Sequence, residues 1–303
     1  MSGVQTLLAG SAGAGGSAGS TVSAAVPLVV LAAAALHATW NALAHAIKDK
    51  LVGFVLISLA YTGCSAVLVC FTRLPDPAAW PFMLTSLVIQ VGYMWLLIAA
   101  YRLGDFGQMY PIARGTSPLL VALAAAALLG EPLTLGAMLG LPLICLGLVG
   151  LALADGIPGR RQLPALAAAL GTGTMIAGYT VVDGTGVRHS GTVLGYIAWS
   201  FLCQGLPIPL IAWRLRGRAL LGELRPALWT GLTGGVLSMT AYGLVLWAQD
   251  HGNLAAVSAL RETSIVIGAL IGAVVFHERL GRRRMAASAT VLAGIAVLEL
   301  VHR

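Results

Sequence analysis

Ten apolar runs, each long enough to cross a lipid bilayer, dominate this sequence. A membrane-spanning helix needs about 20 consecutive, mostly apolar residues. Runs of that length, joined by short polar connections, occupy residues 24–46, 52–72, 79–100, 107–129, 134–154, 163–182, 191–213, 226–248, 254–276 and 284–302. Within them the residues do not alternate in polarity as the strands of an outer-membrane barrel would. The pattern predicts an all-α integral membrane protein with ten transmembrane helices.

Composition and charge exclude the main soluble alternatives. Of the 303 residues, 58% are hydrophobic and only 10% are charged, whereas soluble domains carry about 25% charged residues. The net charge of +7 is spread over the connections between the apolar runs, as in the basic loops of membrane proteins. We therefore expect the lipid bilayer, and no nucleic acid, as a partner. The four cysteines lack disulfide or metal-ligand spacing, so no cofactor is predicted.

The sequence also repeats itself, with an offset of 147 residues. The stretch "PIARGTSPLLVALAAAALLGEPL" (111–133) aligns without a gap with "SALRETSIVIGALIGAVVFHERL" (258–280). The alignment pairs Arg114 with Arg261, Ser117 with Ser264 and Glu131 with Glu278. A match in register predicts two five-helix repeats, residues 24–154 and 163–302, after a flexible tail at 1–23. Because five is odd, the second repeat must be inverted relative to the first, as in many secondary transporters.

Five motifs resemble the EamA family of the drug/metabolite transporter superfamily. They are "HATWNALAH" (37–45), "YRLGDFGQMYPIARGTSP" (101–118), "LLGEPL" (128–133), "AGYTVVDGTGVR" (177–188) and "ALRETSIVIGALIGAVVFHERLG" (259–281). The resemblance covers nearly the whole chain and implies ten helices in two inverted repeats. It also implies transport, often export, of small metabolites such as amino acids. The second repeat departs from the first where Gly252 and Ile265 replace the counterparts of Asp105 and Pro118.

Arg114 and Arg261 are the leading candidates for the substrate site. A guanidinium stays charged inside a membrane, so it requires a partner or water. Each arginine could bind a substrate carboxylate or phosphate, or it could lock the helix bundle; both interpretations stay open here. Glu262 follows Arg261 directly, but adjacent helical residues do not face each other, so each needs another partner. Glu262 is also a candidate proton-coupling carboxylate.

A polar strip on the first helix is the second candidate feature. His37, Asn41 and His45 have i, i+4 spacing and share one helix face, which we expect to face the bundle interior. Trp40 would form an aromatic wall beside it. A metal site is disfavoured because no carboxylate accompanies the two histidines. The predicted pathway is completed by Tyr110, Tyr179, Ser117 and Ser264.

Four further residues are predicted to have structural or gating roles. Glu131 and Glu278 end the fourth and ninth helices, where we expect them to accept hydrogen bonds from the free N–H groups of the next helix. Pro111 and Pro118 remove backbone donors from the fourth helix, so they predict a kink that could act as a hinge.

The leading functional hypothesis is a secondary transporter in the inner (plasma) membrane for a small polar or amphipathic metabolite, either amino-acid-like or an organic anion. Most Lys and Arg residues fall in loops on one side, which predicts a cytoplasmic location for that side and external termini. The sequence lacks a Walker A motif, so an ion or substrate gradient would supply the energy. A gradient-independent channel remains an alternative. So does a membrane-embedded enzyme, although the sequence has no H-E-x-x-H motif and the loops are short.

Overall fold

The computed structural model describes residues 5–103, 106–154, 156, 160–275 and 281–301, some of them, including His45, Tyr110 and Pro111, by their backbone alone. These residues form thirteen α-helices and no β-strand. In chain order the helices are α1 (Gln5–Ala46), α2 (Lys50–Leu68), α3 (Trp80–Leu103), α4 (Phe106–Leu129), α5 (Leu135–Ala152), α6 (Leu163–Arg188), α7 (Val193–Gly205), α8 (Pro207–Arg216), α9 (Ala219–Leu224), α10 (Leu228–His251), α11 (Leu254–Arg261), α12 (Thr263–Val275) and α13 (Arg282–Leu300).

Eight of the helical segments have the length and hydropathy of a membrane span. They coincide with the first eight predicted spans, so the chain is a multi-pass, all-α membrane protein. The predicted span at 284–302 contains a shorter apolar helix, Met285–Leu298. The predicted span at 254–276 is divided between α11 and α12. The described residues therefore support eight spans by length and composition rather than the predicted ten.

Several helix boundaries differ from the prediction. The backbone of α1 is helical from Gln5, within the stretch predicted as a tail, although its span-like part is Ala25–Ala44. The predicted span at 191–213 is divided at Leu206, because Pro207 lacks the N–H that would continue the helix. α6 continues to Arg188 instead of ending at residue 182.

The division between α11 and α12 occurs at a tight turn centred on Glu262. Its N–H donates to the carbonyl oxygen of Ala259 at 3.0 Å, and its own carbonyl accepts from the N–H of Ile265 at 3.0 Å. These bonds span three residues instead of the four of an α-helix, and such turns within a helix often mark functional positions. Residue 262 is neither proline nor glycine, so the sequence gives no local signal for this turn.

α5 and α13 pack against each other through small residues. A Cβ on Gly140 would lie 2.6 Å from the carbonyl oxygen of Gly294, and one on Gly147 would lie 2.8 Å from that of Ala287. The backbones therefore touch directly, as small residues permit in membranes. Because the partner number falls as the α5 number rises, the two helices run antiparallel.

The other long helices surround an interior space. α1 packs against α10, α11 and α12, while α4 packs against α5, α6 and α11, and α3 packs against α6. Residues of α1, α4, α6 and α10 thereby lie around a common space near the end of α11, where Arg261 lies.

Candidate functional site

A small cavity lies within the bundle where α1, α4, α6, α10 and α11 meet. Its polar lining consists of His37, Arg114, Tyr179, Tyr242 and Arg261. His37, Arg114, Tyr179 and Arg261 belong to the predicted pathway, so the fold gathers residues from both predicted repeats. The cavity has a volume of about 40 Å³, and since one water needs roughly 10–15 Å³ it has room for a few water molecules.

Arg114 forms a buried ion pair with Glu262. Its Nε donates to Oε2 at 3.1 Å, and its Nη2 lies 3.0 Å from Oε1. The arginine is 5% exposed and the glutamate 0% exposed. A buried pair of this kind is costly to break because either ion left alone would lack compensation. The pair links α4 to the turn between α11 and α12. Arg114 and Glu262, which were each expected to need a partner, are thus partners of each other.

Arg261 lines the same cavity, and among the described residues it forms no ion pair. It is 3% exposed, and its Nε and Nη2 have no hydrogen-bond acceptor among the described residues. A guanidinium so deeply buried requires an anion, a carbonyl or water to compensate its charge. The cavity is the place from which such a group can reach Arg261.

The polar strip of α1 reaches the cavity through His37. The Nε1 of Trp40 donates to Nδ1 of His37 at 3.3 Å, and the two rings meet edge to face. Asn41 instead donates from Nδ2 to the backbone oxygen of His37 at 2.7 Å. Trp40 and Asn41 therefore hold the histidine and its turn of helix, and neither lines the cavity. The side chain of His45 lies outside the described residues.

Two tyrosines form the aromatic side of the cavity and connect it to Asp183. The rings of Tyr179 and Tyr242 lie 6.3 Å apart in an edge-to-face arrangement. The hydroxyl of Tyr242 donates to Oδ2 of Asp183 at 2.6 Å, and that of Tyr196 donates to Oδ1 at 2.9 Å. The sixth predicted span ended at residue 182, just before Asp183, but this residue lies inside α6 and is buried. The sequence signal for this arrangement was an acidic residue within an apolar helix, because a buried carboxylate requires hydrogen-bond donors around it.

Ser117 and Ser264, also predicted for the pathway, are not among the residues that line the cavity. Ser117 and Ser264 are buried, and their hydroxyls have no hydrogen-bond partner among the described residues. The side chains of Tyr110 and Pro111 lie outside the described residues. Pro118 is buried within α4, which runs without interruption through that position. Its role as a hinge stays a prediction.

Residues 163–300 match the sequence model of the EamA-like transporter family. This part of the chain belongs to that family. The family belongs to the drug/metabolite transporter superfamily, so the resemblance drawn from the motifs is confirmed. A solved crystal structure aligns with 91% of this chain and 99% of its own, with a TM-score of 0.70 and 21% identity. At that identity it shows a shared fold alone. No curated protein matches the chain in sequence.

Glu131 joins the first half to the EamA-like half at one end of the bundle. Its Oε1 pairs with Nη1 of Arg188 at 2.7 Å, and its Oε2 accepts from the N–H of Leu254 at 3.0 Å and from Asn253 at 2.8 Å. Arg188 also donates to the carbonyl oxygens of Gln249 and Gly252. We call Glu131, Arg188 and Asn253 the Glu131 cluster.

The Glu131 cluster revises one expectation about helix ends. Glu131 does accept a hydrogen bond from a free helical N–H, but the helix is α11 in the other half and not α5, the next in sequence. Thr134 caps α5 instead, accepting from the N–H of Ala137 at 3.1 Å. Glu278, the counterpart of Glu131, lies outside the described residues.

A second ionic cluster lies at the connection between α1 and α2. Nη1 of Arg216 lies 2.6 Å from Oδ2 of Asp49 and 2.5 Å from Oε2 of Glu223. The hydrogen bond from Arg216 lowers the pKa of Asp49 below its ordinary value. Asp49 also caps α2, since its Oδ1 accepts from the N–H groups of Leu51 and Val52. The cluster ties α8 and α9 to the start of α2.

Proposed function

We propose that the protein is a secondary transporter that carries a small polar or amphipathic metabolite with an anionic group across the inner membrane. The observation that carries this proposal is the cavity with a buried Arg114–Glu262 pair beside Arg261, which forms no ion pair among the described residues. Members of the EamA family are transporters rather than enzymes. A charged cavity in the interior of a membrane protein is typical of a substrate or ion pathway.

The proposed architecture is ten helices in two inverted repeats. Its strongest support is the reciprocal packing of α5 and α13. The repeat offset pairs Gly140 with Ala287 and Gly147 with Gly294, and the observed contacts are Gly140 with Gly294 and Gly147 with Ala287. Exchanging the repeats turns each contact into the other, as a twofold axis between the helices requires. Their antiparallel course fits an axis in the membrane plane.

The broken helix at Glu262 fits the same proposal. In transporters built from inverted repeats, discontinuous helices often frame the substrate site near the middle of the bilayer. Here the interruption places Glu262 on Arg114 and leaves Arg261 at the cavity. In this proposal, α11 and α12 together form the ninth membrane-spanning helix, which is interrupted by a turn at Glu262.

Alternating access is the proposed mechanism. A cavity of about 40 Å³ is too small for a metabolite, and the Glu131 cluster ties four helix ends together on one side. We interpret this conformation as closed on that side. Movement of one repeat against the other would break the cluster, widen the cavity and expose Arg261 to that side.

The energy source is proposed to be a gradient of protons or of substrate. Glu262 is the candidate proton carrier because it is fully buried and faces a cation that could release it on protonation. Glu262→Gln distinguishes a proton gradient from a substrate gradient as the energy source. If protons drive transport, proton-driven uptake would be abolished in this variant, while exchange of labelled for unlabelled substrate would continue. Loss of both activities in a folded protein would contradict the coupling role.

The decisive experiment is a flux assay in proteoliposomes, with ligands first selected by thermal shift of the purified protein. A carrier gives saturable uptake and counterflow, whereas a channel gives flux that does not saturate. Arg114→Ala and Arg261→Ala, if they elute as folded protein, should each lose transport. Arg214→Ala, which removes an exposed arginine at the end of α8, is the matched control and should transport normally. Normal transport by both cavity variants would overturn the site.

A further inference from the structure

We infer that the substrate is an organic monoanion without an ammonium group, and that Arg261 binds its anionic group. This inference deepens the proposed function, since it takes the cavity as the substrate site. It also narrows the sequence expectation, which left amino-acid-like substrates and organic anions open.

Among the described residues around the cavity, one cation forms no ion pair. The charge of Arg114 is balanced by Glu262 at 3.0–3.1 Å. His37 accepts a hydrogen bond at Nδ1, and an imidazole that accepts there is neutral. Arg261 contributes a full positive charge with two nitrogens that lack acceptors among the described residues. Counted together with Glu262, the described side chains of the lining have a net charge of +1, which one anionic group neutralises.

The difference between the two repeats explains why Arg261 is left without a carboxylate. The repeat offset places Gly115 opposite Glu262, so the first repeat has no counterpart of the acid. Nor is there room for one, because a Cβ on Gly115 would lie only 2.9 Å from Cβ of Leu148. Arg114 thus has a carboxylate partner, whereas the equivalent position beside Arg261 has none. The substrate anion takes the place of that carboxylate.

An ammonium group has no counterpart in the described lining. Glu262 is already paired, and Asp183, the other carboxylate buried near the cavity, does not line it. Both oxygens of Asp183 accept hydrogen bonds from tyrosine hydroxyls. A bound ammonium would lie close to two guanidinium groups without a free carboxylate, so like-charge repulsion disfavours it. A second carboxylate on the substrate would have to displace Glu262 from Arg114.

The rest of the lining is apolar and favours an amphipathic substrate. Ala33, Ala241 and Val245 line the cavity together with the rings of Tyr179 and Tyr242. The Tyr242 hydroxyl is engaged by Asp183, so this tyrosine offers the substrate mainly its ring. An apolar or aromatic body fits this side, while the anionic group faces Arg261.

Three probes with one skeleton test the charge rule directly. 3-Phenylpropionate is a monoanion, phenylalanine adds an ammonium at the carbon next to the carboxylate, and benzylmalonate adds a second carboxylate there. Binding to the purified full-length protein in detergent is measured by calorimetry and thermal shift. We expect 3-phenylpropionate to bind at least tenfold tighter than either of the others. Equal binding of phenylalanine, or no binding of 3-phenylpropionate to the folded protein, would overturn the inference.

Variants then assign the preference to residues. Arg261→Gln should weaken 3-phenylpropionate binding about 10- to 100-fold, because a charge-assisted hydrogen bond is lost. Arg261→Lys, which keeps the charge, should preserve the preference for the monoanion. Glu262→Gln should raise benzylmalonate affinity about tenfold relative to 3-phenylpropionate, since it frees Arg114. Arg214→Gln and Glu223→Gln, which lie outside the cavity, are the matched controls. An unchanged probe order in Glu262→Gln would contradict the charge count.

These binding results are independent of the flux assay. If the charge preference holds but counterflow is absent, the proposed transport function fails and the anion site stands. If counterflow is observed but the three probes bind alike, the transporter stands and the monoanion rule fails.

Discussion

Opening of the cavity can be tested by weakening the Glu131 cluster without changing its shape. Glu131→Gln keeps an acceptor for the N–H of Leu254 but removes the charge that pairs with Arg188 at 2.7 Å. The side chains of this pair are 30% and 15% exposed, so the pair is worth roughly 1 kcal/mol after solvent screening. The negative charge at the N-terminus of α11 adds about 0.3–1 kcal/mol. Closure should weaken by about 1–2 kcal/mol, or roughly 5- to 30-fold.

The assay is the reaction rate of a cysteine placed in the cavity. Ala241 lines the cavity and is buried, so Ala241→Cys in a background where Ser replaces the four native cysteines reports opening. If opening precedes a slower modification, the rate with a water-soluble thiol reagent follows the open population. Glu131→Gln should raise that rate by the factor above. Glu223→Gln, which removes an acid from the other ionic cluster, is the control. An unchanged rate, or an equal rise in the control, would refute the closure argument.

Three further predictions follow from the packing and hydrogen bonds. Gly140→Val should lower the Tm in detergent by several degrees, because its Cβ would lie 2.6 Å from a carbonyl oxygen of α13. Tyr242→Phe leaves Asp183 with one fewer donor and should cost about 1–3 kcal/mol in a denaturant titration. Arg216 lowers the pKa of Asp49, so the stabilisation it confers is complete above about pH 4 and is lost as pH falls. The Tm difference between the wild type and Asp49→Asn should shrink from pH 6 to pH 3.

Matched variants distinguish these effects from general damage. Gly268→Ala is the counterpart of the Gly140 substitution, because a Cβ there meets no atom of the described residues within 4 Å; it should leave the Tm unchanged or raise it. Tyr61→Phe removes a hydroxyl that contacts only Ser58 at 3.1 Å among the described residues, and it should cost less than Tyr242→Phe. Asn at residue 49 retains an oxygen that can cap α2, so its effect reports the charge.

The sequence anticipated much of the site because burial of charge in lipid leaves few solutions. Arg114 and Arg261 had to face the bundle interior, and both line the cavity. Adjacent residues on a helix cannot pair with each other, which correctly predicted that Glu262 has a partner other than Arg261. Tyr179 and His37 were also predicted for the pathway and reach the cavity.

Other features of the site depend on contacts between helices that the periodicity of the sequence does not predict. Asn41 shares a helix face with His37, yet its amide donates to the helix backbone. Asp183 follows directly after the predicted end of the sixth span at residue 182, but it lies inside α6, where tyrosines from α7 and α10 donate to it. The partner of Glu131 is α11 instead of the neighbouring α5, since helix ends in a bundle meet by position in space.

By itself, the sequence determined that this chain spans the membrane and contains cationic side chains that must be compensated internally. Hydropathy and charge fix those properties because lipid tolerates few exposed polar groups. Only the tertiary structure showed which of the two arginines pairs with Glu262. Glu262 reaches Arg114 because a tight turn between α11 and α12 directs it across the bundle. Arg261 is left facing the cavity because Leu148 fills the space beside Gly115, where the equivalent acid would stand.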